Sequence, residues 1–285
     1  MFEAILKPST SEKRPYLVFL LGYMYGILSF VLASLVFQED LGMVLVLLTV
    51  MFSLPLIYSI IQREAKKHVS LDSEKLLLKE HRKAVVVYLS LFLGFTLAFA
   101  SLFIALKPDQ LYVYFSDQID TLNSINSESI RIQGYSIQMK VNSFFVIFLN
   151  NLRVTIFCIL FSIIFGAGAI FILSWNGSVL GVALGDFVKE KLVFIGAGEA
   201  AGVAHYLASF SSGVLRYFIH GVPEITAYIF AGIAGGIISF AVIKHSLFSK
   251  KFESIVVDCT NLILIAIVFL LGASFIEVFI TPFFF

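Results

Sequence analysis

An all-α, polytopic bundle of about seven transmembrane helices, its N-terminus cytoplasmic, is the fold this sequence predicts. Three observations carry that expectation. Of the 285 residues, 59% are hydrophobic and 14% charged, whereas soluble domains carry roughly 25% charged residues to coat a wetted surface. Seven stretches reach the roughly 20 apolar residues that a helix needs to cross a hydrocarbon core about 30 Å thick. Lysine and arginine crowd some of the connecting segments and are missing from others. The composition excludes a soluble enzyme and a disordered chain. Two cysteines, Cys158 and Cys259, both in or beside apolar runs, cannot make a disulfide framework. A net charge of +1 gives no excess to attract nucleic acid.

In chain order, residues 16–37 and 41–61 form a pair joined by the tight turn Gln38-Glu39-Asp40. The first is too long for the apolar core of a signal peptide and is read as a retained helix. Residues 84–106, 152–174, 225–243 and 257–280 follow as further spans. The seventh, 192–215, is rich in small residues and holds Glu199 and His205, so it either spans facing protein or re-enters.

Orientation follows from the excess of basic residues on the cytoplasmic side. Lys7, Lys13 and Arg14 precede the first span, and Arg63, Lys66, Lys67, Lys75, Lys79, Arg82 and Lys83 follow the second, while the turn at 38–40 has none. Lys244, Lys250 and Lys251 place the loop before the last span inside. Lys189 and Lys191 place residues 175–191 inside too, which by parity makes 192–215 a crossing. The expected location is the cell membrane, multi-pass, with the lipid bilayer as the first partner.

The polar stretch 107–143 then lies outside. Leu111, Phe115, Ile119, Leu122 and Ile125 recur at steps of three and four, which is one face of a helix. Such a helix either lies flat on the outer leaflet or caps the bundle, and it offers a partner a docking surface.

Helices in lipid associate through close contact, which small residues permit. Gly198 and Gly202 share one such spacing; Ala231 and Gly235, and Gly232 and Gly236, share two more. They serve either packing within the chain or a homo-oligomer. The expected core runs from residue 144 onward, with the first two helices added at its edge.

Charges inside a membrane cost roughly 3 kcal/mol on insertion scales, so each needs a reason. The expected topology gathers Asn150, Asn151, Arg153, Arg216, His220, Glu224 and Glu277 at one depth near the outer surface. Pro223 fits the first position of a helix after an outer turn, which would put Glu224 at the favourable end of the dipole. Two readings stay open: ion pairs and caps that fix packing, or a polar pocket that binds an ion or a small headgroup. No catalytic constellation is present. His220-Gly221-Val222-Pro223-Glu224 has residue types that bind zinc but lacks the helical HExxH spacing, and neither a G-x-S-x-G elbow nor a phosphate loop occurs. No enzyme activity, metal or cofactor is therefore expected.

Asn150-Asn151 at the head of a long span, Asn176-Gly177 after it, His220-Gly221-x-Pro223-Glu224, Ala231-Gly232 and Glu277-x-x-x-x-Pro282 together resemble the stage II sporulation protein M family of integral membrane proteins. The resemblance covers roughly residues 84–285, a five-span unit with the external loop 107–143, and leaves residues 1–83 outside as a two-helix hairpin plus a basic cytoplasmic segment. It implies a non-enzymatic scaffold or anchor that organises membrane or envelope protein partners, as the namesake does beside a peptidoglycan hydrolase in spore formers. The alternative class is a small transporter or channel component using the outward-facing polar cluster.

Overall fold

The computed structural model describes the backbone of residues 8–37, 41–70, 74–133, 135–194, 203–244 and 249–283, and their side chains except at 8 and 283 and within 67–80, 126–134 and 191–218. Every regular element among them is helical: α1 (Pro8–Lys13), α2 (Pro15–Val36), α3 (Leu41–Ser70), α4 (Glu74–Ala105), α5 (Pro108–Gln133), α6 (Ile137–Phe165), α7 (Ala169–Phe194), α8 (Val203–Lys244) and α9 (Lys250–Phe275). A π-helical turn, Ile276–Ile280, and a 3-10 turn, Thr281–Phe283, complete the chain. Seven of these helices contain a stretch long and apolar enough to cross a membrane.

The number seven agrees with the expectation, but the crossings are distributed differently. Residues 152–174 are not one span. The chain reverses at Gly166, whose φ of 73° puts it in the left-handed region and whose N–H closes on the Ser162 carbonyl at 2.8 Å. Glycine alone adopts that conformation without a Cβ penalty, so it ends the helix. Ser162 Oγ then accepts from Ala169 N at 3.1 Å and caps the start of α7. The stretches Ile137–Phe165 and Ala169–Glu190 thus make two crossings where one was expected. Of the expected span 192–215, residues 203–215 form the start of α8 and residues 195–202 lie outside the described residues; parity no longer requires a crossing there.

This changes the side on which α7 ends. Lys189 Nζ donates to the Leu106 carbonyl at 2.7 Å and sits 5.3 Å above the Phe103 ring. Leu106 immediately precedes Lys107, so Lys189 lies at the end of the bundle that carries α5, not with the basic segment around Arg63 and Arg82. The expectation that Lys189 and Lys191 share a side with those basic segments is thus overturned: Lys189 instead satisfies a carbonyl at the C-terminus of α4.

The outer turn expected between 215 and 225 is also absent. Helix α8 runs unbroken for 42 residues, with Pro223 inside it. Proline removes one backbone hydrogen bond and tends to kink a helix, yet within a membrane neighbouring groups re-satisfy the freed carbonyls. At 1.5 Å per residue α8 is roughly 63 Å long, about twice the apolar thickness; its membrane-length part is Ile219–Lys244.

Helices α4, α7 and the membrane part of α8 form the buried centre, while α2, α6 and α9 are peripheral. The expected division at residue 144 therefore does not describe the core: Leu45, Leu56, Ile57, Leu91, Phe95 and Phe99 from α3 and α4 are fully buried. Glycines set the closest approaches. Gly177, Gly181 and Gly185 on α7 face Phe95, Phe99 and Phe103 on α4 respectively, a ridge meeting a groove at four-residue steps on both helices. Gly22 on α2 lies where a Cβ would stand 2.6 Å from the Leu91 carbonyl oxygen. Gly235 and Gly236 on α8 similarly face the Ile159 and Gly166 carbonyls.

Helix α5 caps the bundle and does not lie flat. Non-helical dihedrals at Phe115 (φ −137°, ψ 23°) kink it, and that ring packs 6.3 Å from Phe99 and 5.7 Å from Phe103. Next, buried Gln118 donates to the Gly42 carbonyl and to Ser178 Oγ, both at 3.2 Å, joining α5 to α3 and α7.

Candidate functional site

Under the α5 cap, α4, α6, α7, α8 and the C-terminal π turn surround a cavity of about 680 Å³. Pockets that hold small molecules fall at about 300–1,000 Å³. Helix α6 contributes Asn150, Asn151 and Arg153; α7 contributes Trp175 and Asn176; α8 contributes His220, Glu224 and Tyr228; the π turn contributes Glu277. Thr121, Leu122 and Ile125 of α5 roof it.

Helix periodicity explains why these side chains meet. His220, Glu224 and Tyr228 are four residues apart, so they form one stripe over two turns of α8. Tyr228 donates its hydroxyl to Glu224 Oε1 at 2.6 Å. His220 Nδ1 stands 3.5 Å from Thr281 Oγ1, which also donates to the Ile276 carbonyl at 3.2 Å, so the C-terminal turn is tied to α8. The π-helical register at Ile276–Ile280 inserts an extra residue per turn, a local feature common at functional sites. Glu277 rides on that turn into the cavity wall.

The depth differs from the sequence expectation for α6. That helix begins at Ile137, not at 152, so Asn150 and Asn151 are its fourteenth and fifteenth residues of 29. They and Arg153 lie midway along the crossing. Asn151 is buried, whereas Asn150 and Arg153 are exposed on the outer face of α6. The exposed side chains of Val146 and Leu149 line the cavity too, so it opens sideways beside α6.

Six of the residues singled out in the sequence therefore share one cavity: Asn150, Asn151, Arg153, His220, Glu224 and Glu277. The side chain of Arg216, one turn before His220 on α8, lies outside the described residues, as do Gly198 and Gly202. Ala231 and Gly232 are buried in the core, with Gly232 against the Ala169 side chain. Sequence reasoning missed Tyr228 and Trp175. The four-residue step from Glu224 was the signal for the tyrosine; the tryptophan adjoins Asn176 but had no partner in sequence. Among the described residues, no three His, Cys, Asp or Glu side chains are placed to hold a metal ion.

The profile of the family described as Stage II sporulation protein M matches residues 84–282. This chain belongs to that family. The match spans the membrane part of α4 through Pro282, and every element that lines the cavity lies inside it. An uncharacterized protein of the archaeon Methanocaldococcus jannaschii is 30% identical over 169 residues, 58% of this chain and 83% of that one. No solved structure matches the chain. Stage II sporulation protein M membership thus holds for the cavity-bearing unit, whereas α1 to α3 precede the matched region.

Proposed function

We propose that this member of the stage II sporulation protein M family is a non-enzymatic scaffold of the cell membrane, N-terminus cytoplasmic, that recruits another membrane or envelope protein along α6. One observation carries the reading. Midway through the bilayer, the exposed face of α6 presents Asn150 and the charged Arg153 among large apolar side chains that include Phe145, Phe157, Leu160 and Ile164. A charge facing lipid at that depth costs roughly 3 kcal/mol or more, and a partner helix that hydrogen-bonds it removes the cost. The basic segments at 7–14 and 62–83 support the orientation through the positive-inside rule.

The test is photo-crosslinking in native membranes from a reactive residue at Phe157, with Val268 on the exposed face of α9 as comparison. The expected result is a protein adduct of defined mass from position 157 and none from 268. Adducts to lipid alone at both positions would overturn the reading, and a mass of twice the chain would replace the recruited partner with a second copy.

The polar cavity favours a second reading, a transporter or channel component. It requires solute flux in proteoliposomes of the purified chain, abolished by Glu277→Gln. Absence of flux for amines, phosphate and alkali cations would remove it.

A further inference from the structure

We infer that the cavity is a binding site for an amphiphile whose headgroup joins a primary ammonium to a phosphate, the chemistry of an aminophospholipid. The inference shares Arg153, at the rim of the cavity, with the scaffold reading, and it is tested separately, through the lining around Trp175 and not through adducts at Phe157.

Three features of the wall select this class. Its charges are of both signs: the carboxylates of Glu224 on α8 and Glu277 on the π turn, and the guanidinium of Arg153 on α6. Carboxylates recognise an ammonium through charge-assisted hydrogen bonds, and a guanidinium recognises a phosphate through its fork of donors. Two aromatic rings, Trp175 and Tyr228, stand in the same wall and can face a cation. Second, most of the remaining wall is apolar, from Leu122 and Ile125 in the roof to Ile172, Val179 and Leu180 on α7. A free ion leaves such surface wet, whereas an acyl chain covers it. Third, the cavity opens beside the exposed residues Val146 and Leu149 of α6, toward the space that lipid chains occupy. A headgroup can enter from that side with its chains still in the bilayer. A lipid carrying only negative charge would set its phosphate against Arg153 but offer the two carboxylates no cation.

The chain supplies its own reporter, because Trp175 is its single tryptophan and lines the cavity. Bromine on an acyl chain quenches tryptophan only near contact. The experiment titrates purified full-length protein in detergent with brominated phosphatidylethanolamine, phosphatidylglycerol and phosphatidylcholine, and follows Trp175 fluorescence. Saturable quenching by phosphatidylethanolamine is expected at about tenfold lower mole fraction than by phosphatidylglycerol, the equivalent of one charge-assisted hydrogen bond. Phosphatidylcholine, whose methylated amine has no N–H to donate, should fall between them. Glu277→Gln should weaken quenching by phosphatidylethanolamine and leave phosphatidylglycerol unchanged, while Arg153→Gln weakens both. Free phosphoethanolamine separates the two sources of this headgroup: recovery of fluorescence on its addition identifies a soluble ligand that competes, and no recovery identifies the lipid. Equal quenching by the three lipids overturns the site, a result that depends on no variant and so stands even where Glu277→Gln fails to fold. Crosslinking at Phe157 is unaffected by any of these outcomes.

Discussion

Gly181 on α7 lies so close to Phe99 on α4 that a Cβ at position 181 would stand 2.7 Å from that of Phe99 and 2.8 Å from the Thr96 carbonyl oxygen. One obstacle is backbone, which cannot rotate aside. Gly181→Ala should therefore push α7 from α4 and lower stability by about 1–3 kcal/mol, the usual cost of overpacking. Gly272→Ala on α9 is the control, since nothing lies within 4 Å of its Cβ position. Thermal unfolding in detergent should show the first variant melting well below the second.

Tyr228 and Glu224 form the shortest side-chain hydrogen bond described in the cavity, at 2.6 Å. Tyr228→Phe keeps the ring and removes the donor, which leaves Glu224 Oε1 without this partner and should cost about 1–3 kcal/mol. Glu224→Gln retains an Oε1 that accepts the same bond. It should unfold closer to the wild type than Tyr228→Phe does, and the reverse order would show that the bond contributes little.

At the other end of the bundle, His81 Nδ1 and Glu64 Oε2 are 2.7 Å apart and almost fully buried, which joins α3 to α4. Removing one member of a buried pair leaves the other uncompensated, at about 3–5 kcal/mol, whereas replacing both with apolar residues is often neutral. His81→Leu should thus be more destabilising than the double variant His81→Leu/Glu64→Leu. A double-mutant cycle of melting curves checks the coupling.

Topology separates the two assignments of α7 directly. Cysteines at Asp109, Glu190 and Arg82, all exposed, are treated with an impermeant thiol reagent on intact cells. Positions 109 and 190 should label together and 82 only after lysis. Labelling of 190 with 82 would restore a crossing within 192–215 and remove the hairpin at Gly166.

Hydropathy and length determined the membrane class, because transfer free energy is a local sum over about twenty residues; the count of seven agreed because the hairpin at Gly166 adds a crossing where 192–215 had supplied one. The motifs from Asn150 to Pro282 carried the family, whereas the shared face of His220 and Glu224 was hidden by reading Pro223 as the start of a new helix. Other features depend on what a residue meets across the bundle, which no window of sequence contains. Gly166 falls inside the expected span 152–174, and only its left-handed φ makes it a reversal. Lys189 read as a topological marker until the Leu106 carbonyl claimed its ammonium. Pro223 read as a helix start, yet tertiary packing carries α8 through it. The glycines at 177, 181 and 185 gained meaning only beside Phe95, Phe99 and Phe103, since a missing Cβ is an opportunity that the facing helix must take. Tertiary structure alone decided that Asn150, Arg153, Trp175 and Glu277, on three separate elements, line one cavity with the α8 stripe.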